Sequence, residues 1–134
     1  MAKKNIMKLD IPQDVFMFTL IGISSHENDY RLSWSLNKQL DLKFTQGEDF
    51  TVGTGEKFTR FVHVDEKYSL TIISNRCDNG FLLDKYKNFD FLLKFEGELP
   101  EQELSDWLHA LKKVPLISAV FPIQIDKKIL QRLV

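Results

Sequence analysis

Two periodicities divide this chain. Val15-Phe-Met-Phe-Thr-Leu-Ile21 is β-branched and aromatic and is apolar on both alternating faces, the pattern of a central strand, with Gly22 permitting a tight exit. Leu32, Leu36 and Leu40 then recur at helical spacing and predict an amphipathic helix starting near Ser24 or Ser25. Ser24 and Glu27 have the spacing of a capping box, and Glu27 stands four residues before Arg31, a favourable surface pair. At about 100° per residue, Tyr30, Trp34 and Asn37 fall beside the leucine stripe and widen the apolar and aromatic arc to roughly 200°, more than one sheet contact requires.

Strands are predicted near 42 to 50, 57 to 65 and 68 to 75, read as antiparallel hairpins, with Thr51-Val-Gly-Thr-Gly55 joining the first two. Asp78-Asn79-Gly80 is a turn signal before Phe81-Leu-Leu83. From Phe89 to Glu96 a strand places Phe89, Phe91, Leu93 and Phe95 on one face and Asp90, Leu92, Lys94 and Glu96 on the other. A second helix follows from Leu104, Trp107, Leu108 and Leu111. Pro100 suits its first turn, Glu101 and Glu103 match the start of its dipole, Lys112 and Lys113 match the end, and Val114-Pro115 stops it. The last strand, Ile117 to Ile125, contains Pro122, which cannot donate to a ladder and so marks a sheet edge.

This order predicts an α+β, ferredoxin-like (split β-α-β) two-layer sandwich, with a mostly antiparallel sheet and two main helices on one face. The other face is then left uncovered, presenting Met17, Thr19, Phe61, His63, Leu92 and Lys94 according to register. Residues 1–134 are read as one domain, with 1–8 a possible disordered N-terminal tail and 126–134 a short C-terminal tail or helix.

Composition narrows the partners. The 134 residues are 43% hydrophobic, enough for one core, and 18 basic against 19 acidic residues leave a net charge of -1, so no global field favours nucleic acid or an anionic membrane. The longest nearly apolar run, Val15 to Ile23, is too short to span a bilayer, and Met1-Ala-Lys-Lys-Asn5 is not followed by a signal-type apolar core. With a single cysteine, Cys77, incapable of an intramolecular disulfide, the expected location is cytoplasmic.

The candidate chemistries are weak. Ser24, Ser25, His26 and Asp29 contain the residue types of a hydrolytic relay, but residues packed into one helical turn do not line up as one, and capping explains the serines. His63 and His109 show no metal-ligand spacing with each other or with Cys77. Gly53-Thr54-Gly55 lacks the Gly-Lys-Ser/Thr that completes a phosphate loop and lies between strands. Cys77 beside Arg76 reads first as a bystander near a turn. No catalytic residue, cofactor or metal is assigned, and the chain is expected not to be an enzyme.

Tyr30, Arg31, Trp34 and Asn37 carry two readings: a wedge buried between helices or under the 76 to 88 loop, or an exposed patch bordered by Arg31 and Lys38 that contacts a protein. The expected function is accordingly non-catalytic protein association, either with itself as a homodimer through the open sheet face or as an adaptor through Tyr30 and Trp34. One alternative is an RNA-associated factor, with Lys85, Lys87, Lys112, Lys113, Lys127 and Lys128 as scattered phosphate contacts. Another is a small-ligand sensor resembling ACT domains.

Gly22-Ile-Ser-Ser25, Asp29-Tyr-Arg-Leu32, Trp34, Leu36-Asn37, Ile73-Ser-Asn-Arg76 and Gly80 together resemble the bacterial IPExxxVDY family over nearly the whole chain. Where the naming motif would stand, this chain has Leu83-Asp-Lys-Tyr-Lys-Asn-Phe-Asp-Phe91, identical only at Asp90. The resemblance implies a small cytoplasmic bacterial protein and assigns it no activity, cofactor or substrate. It adds Asn75, Arg76 and Asp90 to the candidate binding residues.

Overall fold

The structure is a computed structural model describing residues 18–53, 55–78 and 80–133. The expected tail at 1–8, the predicted strand residues Val15–Met17, and Asn79 of the turn signal lie outside the described residues. Along the chain run β1 (Phe18–Ser24), α1 (Asp29–Leu40), β2 (Thr45–Gln46), β3 (Phe50–Thr51), β4 (Lys57–Phe58), β5 (Arg60–Val64) and β6 (Ser69–Ser74). After them come β7 (Arg76–Cys77), β8 (Gly80–Phe81), a 3-10 turn at Asp84–Tyr86, β9 (Phe91–Glu96), α2 (Glu101–Lys112), β10 (Ala119–Ile123) and α3 (Lys127–Leu133). The fold is mixed α/β with three α-helices among the described residues.

Six strands form one sheet in the order β10-β1-β9-β6-β5-β2, and every ladder in it is antiparallel. β1 and β9, the strands that lead into α1 and α2, lie in the interior of the sheet, and β10 with Pro122 forms one edge. The pleat sorts the side chains. Ile21, Ile23, Leu70, Ile72, Leu93 and Phe95 point to the face covered by Leu32 and Leu36 of α1 and by Leu111, Trp107 and Leu108 of α2. Trp107 packs edge-on against both Phe95 and Tyr68, which adds directional contact to the area it buries.

The opposite face is not open. Leu20, Ile73 and Leu92 are buried there beneath Phe58 of β4, Leu82 and Leu83 ahead of the 3-10 turn, and Ile129 and Leu133 of α3. Thus 127–133 is a helix with a packing role. The chain shields its own second face because burying these apolar residues removes from water a surface a free domain would otherwise expose. Lys94, half-buried in this layer, donates from Nζ to the Leu133 carbonyl at 3.1 Å, pairs with Glu96 and lies over the Phe18 ring. Thr19, Phe61 and His63 do not belong to this face; strand alternation turns them to the helix side.

Several local expectations shift. α1 begins one turn later than the capping-box spacing suggests, because Asn28 is the N-cap and its side chain accepts from the Arg31 N–H at 2.9 Å. The Ser24 hydroxyl ends β1 and donates instead to the Asn88 carbonyl. Glu27 and Arg31 do pair, at 2.9 Å. Gly22 makes no turn; it lies within β1, where an added Cβ would come within 2.8 Å of the Phe89 ring. Phe89 precedes β9 and crosses to that side, stacking with Phe121 rather than joining Phe91 on the helix face. The single strand expected near 42 to 50 is two short strands in different sheets, β2 on β5 and β3 on β4. Pro100 sits at the N-cap of α2, just before its first turn.

Candidate functional site

Six of the seven candidate residues fall in two places. Asn75, Arg76 and Asp90 converge where β6 ends, while Tyr30, Arg31 and Trp34 stand on the outer side of α1.

Asn75 is 0% exposed and has its whole side chain engaged. Its Nδ2 donates to the carbonyls of Tyr86 and Phe89, both at 3.0 Å, and its Oδ1 accepts from the Leu83 N–H at 2.7 Å. Backbone bonds continue the tie, Asn75 N–H to the Asp90 carbonyl and Leu82 N–H to the Asn75 carbonyl, each at 2.9 Å. An amide suits this place because it offers two donors and an acceptor in one plane, matching two carbonyls and one N–H of the 82–89 segment. Asn75 therefore organises the loop and does not face a ligand.

Asp90 closes the knot. One carboxylate oxygen accepts from the Arg76 guanidinium, and the other accepts from the Ser25 N–H at 2.9 Å. Ser25, buried, donates from its hydroxyl to the Leu116 carbonyl at 2.7 Å and accepts from the Glu27 N–H. Ser25 thus joins the turn after β1 both to the segment ahead of β9 and to the one ahead of β10. Spacing within 24–29 suggested only a cap; the partner of this serine, Asp90, lies 65 residues further along the chain. A shallow cleft of about 400 Å³ opens here, lined by Ser25, His26, Asn28, Arg76 and Asp90 among others.

This geometry does not build a relay from Ser24, Ser25, His26 and Asp29. Both hydroxyls donate to main-chain carbonyls, and the Asp29 carboxylate accepts from the Thr59 hydroxyl and the Tyr30 N–H. Gly55 closes the β3–β4 hairpin by donating to the Val52 carbonyl at 2.8 Å. Cys77, half-buried in β7, is a free thiol. Among the described residues no group of three or more His, Cys, Asp or Glu is placed to hold a metal ion. A larger hollow of about 870 Å³ lies between the 80–86 segment and α3, where the Arg132 guanidinium donates to the Leu82 carbonyl at 2.8 Å. The sequence offered no periodic signal for that contact.

On α1 the wedge reading is corrected. Tyr30 is 70% and Trp34 56% exposed, two aromatics on adjacent turns, while Leu32 and Leu36 are buried beneath them. Arg31, paired with Glu27, and Lys38, whose Nζ lies 5.1 Å from the Trp34 ring centre, flank the aromatics. Asn37 belongs elsewhere. Its side chain accepts from the Phe44 N–H at 2.7 Å and donates to the Phe44 carbonyl at 3.0 Å, clamping the chain that leaves α1. Asp41, at φ 56, makes the left-handed turn that allows this return.

His63 is buried on the helix side of β5, with Nε2 2.8 Å from Asp65 Oδ2 and Nδ1 accepting from the Lys43 N–H at 2.9 Å. The Asp65 carboxyl is held below the usual carboxylate range by the N–H of Tyr68, then by His63 and the N–H of Lys67. No helix of the described residues is long and apolar enough to cross a membrane. No protein-family model matches this chain, and no curated protein matches it.

Proposed function

We propose that this chain is a non-catalytic α+β recognition domain that associates with a protein partner through the outer face of α1. The observation carrying this reading is the exposure of Tyr30 and Trp34 side by side on a helix whose apolar stripe is already satisfied by the sheet. Keeping two large rings in water forfeits about 1.5–3 kcal/mol of burial for each. Rigid aromatics beside an arginine also have the composition of residues that dominate binding energy at interfaces. Self-association through an open sheet face is set aside, since α3, β4 and the 80–89 segment occupy that face.

The strand order β10-β1-β9-β6, with α1 and α2 on one side, supports reading the core as ferredoxin-like with β5 and β2 added beyond β6. Resemblance to the IPExxxVDY family rests on the sequence blocks alone, three of whose residues, Ser25, Arg76 and Asp90, meet in the fold. A cytoplasmic setting is the location these readings favour.

The test compares the wild-type chain with Tyr30→Ser/Trp34→Ser in capture from nuclease-treated cytosol, followed by titration of the purified partner against both. The double variant is expected to keep its circular dichroism and Tm and to bind at least about a hundredfold more weakly, the loss of one strong anchor or more. Equal affinity in a folded variant refutes the reading. A partner lost on nuclease treatment transfers it to RNA.

A further inference from the structure

We propose that His63 is a pH-sensitive clasp: its neutral imidazole fastens the α1–β2 connection to β5, and its protonated form releases that connection. The tautomer follows from the donors. A backbone N–H can only donate, so Nδ1, which receives the Lys43 N–H at 2.9 Å, carries a lone pair. The ring proton is therefore on Nε2, directed at Asp65 Oδ2 at 2.8 Å. A second proton has one place to go. It must add to Nδ1, where it meets the Lys43 N–H head-on, leaving two donors facing each other around a residue that is 4% exposed.

The surroundings decide how that conflict resolves. On the turn after β5, Asp65 faces Nε2 and offers the cation a counter-charge, while Glu66 and Lys67 of the same turn are exposed. From the α1–β2 connection Lys43 meets the ring through its backbone amide, and Phe44 lies 5.7 Å from the imidazole centre. Across the ladder on β6 the partner is Leu70, and the α1 side chain bonded to this connection is Asn37, which is neutral and held by Phe44. Among the described residues Asp65 is the one ionisable side chain bonded to the imidazole. The added charge is thus compensated at Nε2, and the disruption falls on the Lys43 side.

Phe44, next to Lys43, is buried in the core, but what lies beyond it is lightly held. β2 is two exposed residues, Thr45 and Gln46, paired with Val62 and Phe61, and Gly47 donates to the Arg60 carbonyl at 2.9 Å. Besides these ladder bonds, the ties on this connection among the described residues are the burial of Phe44 in the core, the Asn37 clamp and the His63 bond. Loss of the latter loosens the outermost strand and bares the β5 edge, a row of backbone groups open to pairing with another strand.

The test follows the full-length protein by NMR between pH 8 and pH 5. Imidazole nitrogen shifts report the tautomer and the protonation of His63, and amide exchange, normalised to intrinsic rates, reports protection at Lys43. The proton is expected on Nε2 at high pH. Protection at Lys43 is expected to fall about tenfold once the ring is charged, the worth of one hydrogen bond. In His63→Asn, where Oδ1 takes the place of Nδ1 and never protonates, protection should not change with pH. A proton on Nδ1 at high pH, a ring that stays neutral to pH 5, protection that survives protonation, or the same pH response in a folded His63→Asn each overturns the proposal. If His63→Asn does not fold, the wild-type tautomer and exchange data decide alone.

Discussion

Replacing Asn75 with alanine should be among the most damaging single changes in the molecule. The side chain makes two bonds of 3.0 Å to the Tyr86 and Phe89 carbonyls and one of 2.7 Å to the Leu83 N–H, in a site with no solvent exposure. At about 1 kcal/mol net for each bond the floor is about 3 kcal/mol, and three partners left unsatisfied would raise it to roughly 6 kcal/mol. The vacated amide volume admits a water with three polar neighbours, which pulls the cost back toward the lower figure. We therefore expect about 3–4 kcal/mol, a large part of the roughly 5–15 kcal/mol that holds a domain together. Urea denaturation followed by tryptophan fluorescence should show the midpoint falling by about 2 M with little change in slope. Asn75→Asp should be at least as harmful at neutral pH, since a carboxylate would face two carbonyls, and should recover toward wild type as acid protonates it. A midpoint within about 0.3 M of wild type for Asn75→Ala would refute the view that this amide orders the 82–89 segment.

Two further changes test neighbouring parts of the argument. Gly22→Ala should cost about 1–3 kcal/mol, read as a lower Tm, because its Cβ would meet the Phe89 ring at 2.8 Å; Phe89→Leu in the same chain should restore part of the loss. For Asp65, whose carboxyl is lowered in the folded state, the folded chain binds that proton less readily than the unfolded one. Its stabilisation is thus present at neutral pH and disappears as pH falls from the usual carboxylate range through the lowered one. The stability gap between wild type and Asp65→Asn should close over that acid interval in a pH series of urea titrations, and a gap independent of pH would contradict the assignment.

α2 was legible because Leu104, Trp107, Leu108 and Leu111 repeat over a full helix, and the β10 edge because Pro122 can occupy few other places. α1 was legible in its body but not at its start. Ser24, Ser25 and Asn28 are all good caps, and distant partners decided among them, the Asn88 carbonyl taking Ser24 and the Leu116 carbonyl taking Ser25. Strands of two residues, such as β2 and β3, are too short to leave a period. The cover on the second face escaped for the same reason: Leu82, Leu83, Phe89, Ile129 and Leu133 sit in a loop and a short helix, where apolar residues carry no directional pattern. Tyr30 and Trp34 border the buried stripe of α1, so the wheel allowed either fate, and the tertiary placement of the helix made them exposed. The Asn75 and Asp90 contacts join stretches separated by turns and lie beyond reach of any local rule.

The position of β1 between β9 and β10 also governs how the molecule is made. Its two neighbours are the last strands of the sheet, so Leu20 opposes both Lys94 and Ile123. During synthesis this hydrophobic ribbon has no mate until β9 and β10 have emerged, and each closure then draws together points far apart along the chain. Such long-range assembly belongs to the slower end of small-domain kinetics. The nascent Phe18–Ser24 segment is therefore the stretch that chaperones would be expected to shelter on the ribosome.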